Sequence, residues 1–300
     1  MTPVEVFIVG LAVGAHVATW GAYKDAPFEG FHWSRFVRSI AVSIGLAALI
    51  AWSLGSARPS LVVLIGVVYA LERLVTEYWK LFFRGHAADT FTIPMRFSVF
   101  GRPLDAPASR YAVGVAVSLL TLGTIWVVGV IDRVTPAMPQ LVLVAVASIS
   151  GWLTAVGGAW KDAPIEGFSA WKFLRSPVVS ALWAVPLSFL SGDWVLLGLA
   201  AGGFAVASIE TYKAFLVRNR PPGKFDGKPV RHTFTHRRTV LAAAHALLWA
   251  GLAVSLIMGL AGHQWSSTTI AQAAVAGLAI VWSALTLVRA VLAPTAAPAR

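Results

Sequence analysis

Nine stretches of this 300-residue chain carry no charged side chain: Val6–Tyr23, Ser39–Ala57, Ser60–Leu71, Tyr111–Ile131, Thr135–Trp160, Ser176–Gly192, Trp194–Ile209, Thr239–Gly262 and Gln264–Val288. A helix needs roughly 20 apolar residues to cross the hydrocarbon core of a bilayer. Seven of the runs approach or exceed that length. The third and seventh reach it if their helices continue through Glu72–Arg84 and Glu210–Val217. The expected fold is an all-α polytopic membrane protein with about nine transmembrane helices. Hydrophobic residues make up 57% of the chain and charged residues 12%, against roughly 25% charged in a soluble domain. A disordered chain is excluded, and the composition argues against a soluble single-core fold. The first residues lack a basic n-region and an A-x-A-like site, so the first run reads as a retained helix and not a signal peptide. Residues 293–300, rich in Ala and Pro, read as a frayed tail.

The charges lie between the runs, and they lie unevenly. Of 24 Lys and Arg, 22 fall on one side of the expected membrane and only Arg58 and Arg133 on the other. Cytoplasmic loops carry the excess of Lys and Arg. The expected location is therefore a bacterial-type inner (plasma) membrane, with the N-terminus outside and the C-terminus cytoplasmic. The net charge of +11 follows from that bias and implies no nucleic-acid partner.

An internal repeat organises the chain. Gly21-Ala-Tyr-Lys-Asp-Ala-Pro-Phe-Glu-Gly-Phe31 returns as Gly158-Ala-Trp-Lys-Asp-Ala-Pro-Ile-Glu-Gly-Phe168, nine of eleven positions identical at an offset of 137. Arg35-Phe-Val-Arg38-Ser39 returns as Lys172-Phe-Leu-Arg175-Ser176 at the same offset. Glu77-Tyr-Trp-Lys80-Leu-Phe82 matches Glu210-Thr-Tyr-Lys213-Ala-Phe215. Pro94, Arg96, Phe97, Arg102 and Pro103 match Pro222, Lys224, Phe225, Lys228 and Pro229. Four matched blocks in one order predict tandem four-helix repeats, residues 1–134 and 135–262, followed by a ninth helix and tail in 263–300. Four crossings per repeat make the copies parallel, related by a pseudo-two-fold axis along the membrane normal. All four blocks then share one side in both copies, around one cytoplasmic entrance.

These blocks hold the candidate site residues. The first presents Lys24, Asp25 and Glu29, and Lys161, Asp162 and Glu166. Its Pro and Gly predict a break in the helix and a tight charged turn. Arg38 and Arg175 come from the second block. Glu77 with Lys80, and Glu210 with Lys213, sit three apart on one helix face. Lys224 and Lys228 complete the substrate-binding set, in loops punctuated by Pro and Gly. Each copy offers six recurring cations against three recurring carboxylates, a surplus that attracts anions. Phosphate, on a lipid head group or a small molecule, is the expected anion at that face. The structural alternative is that these charges cap helix ends and pair with neighbours.

Glu72 and Arg73 fall inside the third helix and have no equivalent in the second copy. Intramembrane charges are expected to face the bundle interior and to be paired; Arg73 and Glu77, four apart, suit one another. His232 and His236 have helical metal-ligand spacing, but no acidic partner is near in sequence, so no metal is expected there. His16 and His245 read as packed, hydrogen-bonded core residues. Gly10-x-x-x-Gly14 and Gly198-x-x-x-Gly202 suit close helix packing, and the Trp residues suit interfacial belts. Cysteine is absent, which excludes disulfides, thiolate metal sites and a cysteine nucleophile. No nucleotide-binding, zinc-protease or nucleophile-elbow motif is present.

Three functions fit these features. The first is a transporter or lipid translocator with a cytoplasmic anion vestibule. The second is a membrane enzyme acting on a lipid phosphate, with Mg²⁺ on Asp25, Glu29, Asp162 and Glu166. The third is a non-catalytic membrane scaffold. The expected partners are membrane lipids and an anionic small molecule or head group. No resident cofactor is expected outside the Mg²⁺ alternative, and nothing specifies an oligomer.

Overall fold

The structure, a computed structural model, describes residues 1–55, 59–85, 97–99, 102–135, 138–217, 225, 227–232 and 235–262, without the side chains of 164–166 and 235–237. Eight helices lie among them: α1 (Pro3–Glu29), α2 (Trp33–Leu54), α3 (Leu61–Tyr78), α4 (Pro107–Val134), α5 (Gln140–Glu166), α6 (Ala170–Ser188), α7 (Trp194–Thr211) and α8 (Thr235–Ala261). The ninth run, from Gln264, lies outside the described residues. A two-stranded antiparallel ribbon, β1 (Ser98–Val99) and β2 (Arg102–Pro103), precedes α4.

Local chemistry sets several helix starts. Thr2 and Glu5 form a capping box ahead of Pro3, satisfying amides that a first turn leaves free. Ser60 and Asp193 accept from the amides of Val63 and Leu196 to open α3 and α7.

The first block is not a turn, contrary to expectation. α1 runs through Pro27 to Glu29, and α5 through Pro164 to Glu166. A proline in the last turn removes only its own amide bond. The Pro27 carbonyl accepts instead from the amides of Arg231 and His232, at 2.9 and 3.1 Å. Each chain turns at the following glycine, where Gly30 and Gly167 adopt φ of 79° and 77°, backbone that disfavours any side chain. Lys24 and Asp25 therefore project from helix, as do Lys161 and Asp162.

Helix pairs pack through small residues. A side chain on Gly14 would strike Ile40, and on Gly10 it would come within 2.5 Å of Ile44. At 137 positions further on, a side chain on Gly151 would come within 2.6 Å of Pro177. So α1 crosses α2 as α5 crosses α6. Gly10-x-x-x-Gly14 works as expected. Gly198-x-x-x-Gly202 does so in part: a side chain on Gly202 would come within 3.0 Å of Ser150 on α5, while Gly198 meets nothing within 4 Å among the described residues. The close approach of α7 to α3 falls one residue later, where Gly203 lies against Gly66 and Ala70.

α3 and α7 form the centre, with Leu64, Val68, Leu197, Ala200 and Ala207 all fully buried. The outer helices show the reverse. Leu119, Leu120 and Trp126 on α4 are 64%, 71% and 70% exposed. Such a surface is unfavourable in water and suited to lipid tails. Among the described residues six helices, α1, α2, α4, α5, α7 and α8, are long and apolar enough to cross a membrane.

Candidate functional site: a charge cluster shared between the two halves

α3 and α7 each end in a five-residue π-helical turn, Trp79–Phe83 and Tyr212–Leu216. The amides of Arg84 and Val217 close these wide turns on the carbonyls of Trp79 and Tyr212, at 2.8 and 3.1 Å. Such turns occur often at functional sites. Here they carry Lys80 and Lys213. Lys80 Nζ reaches Glu77 at 2.9 Å, and Lys213 Nζ reaches Glu210 at 3.1 Å. These are the pairs that the spacing of three predicts.

The other oxygens of both glutamates are taken from across the molecule. Lys24 of α1 donates to Glu210 of α7 at 2.6 Å. Lys161 of α5 donates to Glu77 of α3 at 3.1 Å. Each half thus supplies a first-block lysine to the other half's glutamate. The four side chains are 14–25% exposed, so these bonds form away from bulk water, where charge attraction is strong.

Arg73 sits between the two pairs. Its guanidinium donates to Glu77 at 2.8 Å and lies 3.7 Å from Glu72. It also lies within electrostatic reach of Asp25, Lys24, Lys161 and Glu210. Glu72 is fully buried and accepts from the Thr76 hydroxyl at 2.9 Å. The sequence-matched positions in α7 are Ala205 and Val206.

Asp25 lies beside Lys24 and Arg73, and Asp162 lies 3.6 Å from Lys161. Both first blocks are therefore at one end of the bundle. Arg38 is within electrostatic reach of Glu72, Arg73 and Glu77, and Arg175 of Lys213. Among the described residues the cluster holds seven cations and five carboxylates. It is an interlocked network, not the open mouth that the cation surplus suggested, because the matched lysines are spent on the opposite glutamates. Glu29 turns away and pairs with Arg35 at 2.8 Å. Lys228 is exposed on its loop and makes none of the cluster's ion pairs. Lys224 and the Glu166 side chain lie outside the described residues, as does the His236 side chain.

The loops repeat the exchange. Phe225 stacks on Phe28 with ring centres 4.3 Å apart. Phe97 stacks on Trp160 at 6.0 Å, and Trp160 Nε1 donates to the Ser98 carbonyl at 2.9 Å. The fourth block of each half thus covers the first block of the other.

A second polar group lies deeper in the bundle. His16 Nδ1 bonds the Tyr69 hydroxyl. His245 contacts Thr19 at 3.3 Å and Thr211 at 2.9 Å. Both histidines are packed and hydrogen-bonded, as expected. Their rings also meet, with centres 4.0 Å apart. That contact joins α1 to α8 across 229 residues, and no sequence spacing announces it. Among the described residues no three His, Asp or Glu side chains converge to hold a metal ion.

The fold and the lipid-facing surface define a membrane-embedded all-α protein. Compared with protein-family models, curated proteins and solved structures, the chain matches none.

Proposed function

We propose that the protein is a transporter or lipid translocator in which the charge cluster acts as both latch and anion site. The two halves are parallel repeats within a nine-span layout, and the basic end faces the cytoplasm. Glu77 and Glu210 hold the lysines of the opposite half and so close that end. When the halves part, Lys24, Lys161 and Arg73 are released together toward one space. An anionic molecule, most simply one bearing phosphate, then replaces the two glutamates. The observation that carries this reading is the reciprocal exchange, Lys24 to Glu210 and Lys161 to Glu77. A mere helix cap needs no partner in the other half.

Bonding of Glu77 and Glu210 through both oxygens favours a second reading, a scaffold in which the network only joins the halves. The alternative of a Mg²⁺-dependent enzyme on a lipid phosphate draws no support from the paired carboxylates. The test is binding of inorganic phosphate and of phosphatidate vesicles to the detergent-solubilised full chain. Under the transporter reading, Lys24→Ala and Lys161→Ala each weaken binding by a similar factor, and the double variant loses it. Glu77→Gln and Glu210→Gln strengthen it several-fold, because the internal competitor is gone. Phosphate arms that bind while vesicles do not assign a soluble ligand, and the converse assigns a lipid. Binding undiminished in the double lysine variant overturns the proposal.

A further inference from the structure

Between α1, the π-turn after α7 and α8 lies a cavity of about 730 Å³. That volume is within the roughly 300–1,000 Å³ of small-molecule sites. Tyr23, Phe215 and Trp249 supply aromatic walls, and His245 and Thr211 line it. Among the described residues Arg238 is the only cation of the lining, and no carboxylate lines it.

The matched place in the first half is filled. Arg110, Leu119, Leu120 and Gly123 of α4 match Arg238, Leu247, Leu248 and Gly251 of α8 at an offset of 128. Arg110 is buried, and its Nε donates to the Phe82 carbonyl at 2.9 Å. Phe82 is itself buried and lies so close to Gly114 that a side chain there would come within 2.5 Å of its Cβ. Gly114 lets α4 close on its π-turn. The residue matched to Gly114 is Ala242, whose methyl lines the cavity in the second half. A methyl in that place cannot accept the same approach, so α8 stands off. Arg238 is left exposed, stacked 4.4 Å above the Tyr23 ring. The second half has thus kept open a space that the first half packs shut.

The polar floor is already satisfied. The Thr211 hydroxyl receives Trp249 Nε1 at 2.9 Å and meets His245 Nε2 at 2.9 Å. What the walls offer an occupant is aromatic surface, with the Phe215 ring 4.2 Å from a tilted Tyr23 ring and stacked at 4.2 Å on His245. What Arg238 offers is charge-assisted donors in a planar fork. We propose that this cavity binds a planar aromatic molecule carrying an anionic oxygen group. The ring inserts among Tyr23, Phe215 and Trp249, and the oxyanion meets Arg238. The site shares the π-turn and the end of α1 with the lysine–glutamate cluster but uses none of the cluster's ion-paired side chains.

The test is calorimetric titration of the full chain in detergent with 2-naphthoate, and with uncharged 2-naphthalenemethanol for comparison. Wild type should bind 2-naphthoate. Arg238→Gln, an exposed change, should weaken that binding at least ten-fold and leave the alcohol within two-fold. Ala246→Phe, which fills the cavity from an exposed position on α8, should abolish both, with an unchanged melting temperature as the folding control. Failure of wild type to bind 2-naphthoate at millimolar concentration overturns the proposal, as does undiminished binding to Ala246→Phe. Equal 2-naphthoate affinity in Arg238→Gln overturns the anionic assignment. Variants at Lys24 and Lys161 should bind 2-naphthoate as wild type does, which separates this site from the phosphate site.

Discussion

Lys24 on the first helix is held at 2.6 Å by Glu210, 186 residues away on the seventh. Glu77 holds Lys161 in the mirrored arrangement at 3.1 Å. A largely buried ion pair is costly to break one partner at a time, because the survivor keeps its charge without its neighbour. Glu210 keeps Lys213 at 3.1 Å, so Lys24→Ala should destabilise the solubilised protein by about 1.5–3 kcal/mol, the range of one charge-assisted bond. Glu210→Gln should cost much less in the Lys24→Ala background than in wild type, because the pair is already broken. Thermal melts of the two single variants and the double variant decide it. Losses that simply add would show that the pair does not couple the halves.

Arg73 poses a different problem, since it has no counterpart in α7. Glu72 beside it is fully buried. Removing the guanidinium by Arg73→Ala leaves that carboxylate without its nearest cation, at a cost of about 3 kcal/mol. Adding Glu72→Gln removes the orphaned charge while keeping the acceptor for Thr76. The double variant should thus be more stable than Arg73→Ala alone. The order of melting temperatures reads this directly, and a double variant below the single would show that Glu72 is held by something other than Arg73.

Much of this cluster is written in local spacing. Four residues from Arg73 to Glu77, and three from Glu77 to Lys80, are adjacent steps on one helix face. The recurrence of Lys24 as Lys161 marked the right lysines as well. The crossing partners were not legible, because spacing within a helix is silent on which helix lies opposite. Pro27 misled for a related reason. Its backbone restriction is local, but Arg231 and His232 reach its carbonyl from about 200 residues away, and helix continues through it. The cavity beside Arg238 depends on the difference between Gly114 and Ala242. That difference matters only where a π-turn brings Phe82 or Phe215 against it, and nothing in the local sequence announces that wide turn.

Gly203 and Gly198 share one helix and invite opposite outcomes. A side chain at Gly203 meets the backbone of Gly66 and Ala70, whereas one at Gly198 meets nothing within 4 Å. Backbone cannot swing aside as a side chain can, so Gly203→Val must separate α3 from α7. Overpacking costs about 1–3 kcal/mol even where side chains adjust, and this site should exceed that range. Gly198→Ala should be neutral or stabilising, since glycine within a helix costs about 0.5–1 kcal/mol relative to alanine. Yield and melting temperature of the two variants check the α3–α7 seam; equal tolerance at both positions would contradict it.

The proposed orientation can be read with single cysteines, since the chain has none of its own. Lys228 is exposed on a loop at the end where the cluster lies, near Phe225 and Phe28. Arg133 is exposed at the far end of α4, where Asp132 accepts the Trp194 amide that opens α7. Positive charge is retained on the cytoplasmic side during insertion, so the two positions should face opposite compartments. In intact cells a membrane-impermeant maleimide should label Arg133→Cys and spare Lys228→Cys. In inverted vesicles the pattern should reverse. Labelling of both from one side would remove the membrane-spanning disposition of α4. A reversed pattern would instead turn the cluster to the outside, so that the phosphate ligand would have to come from there.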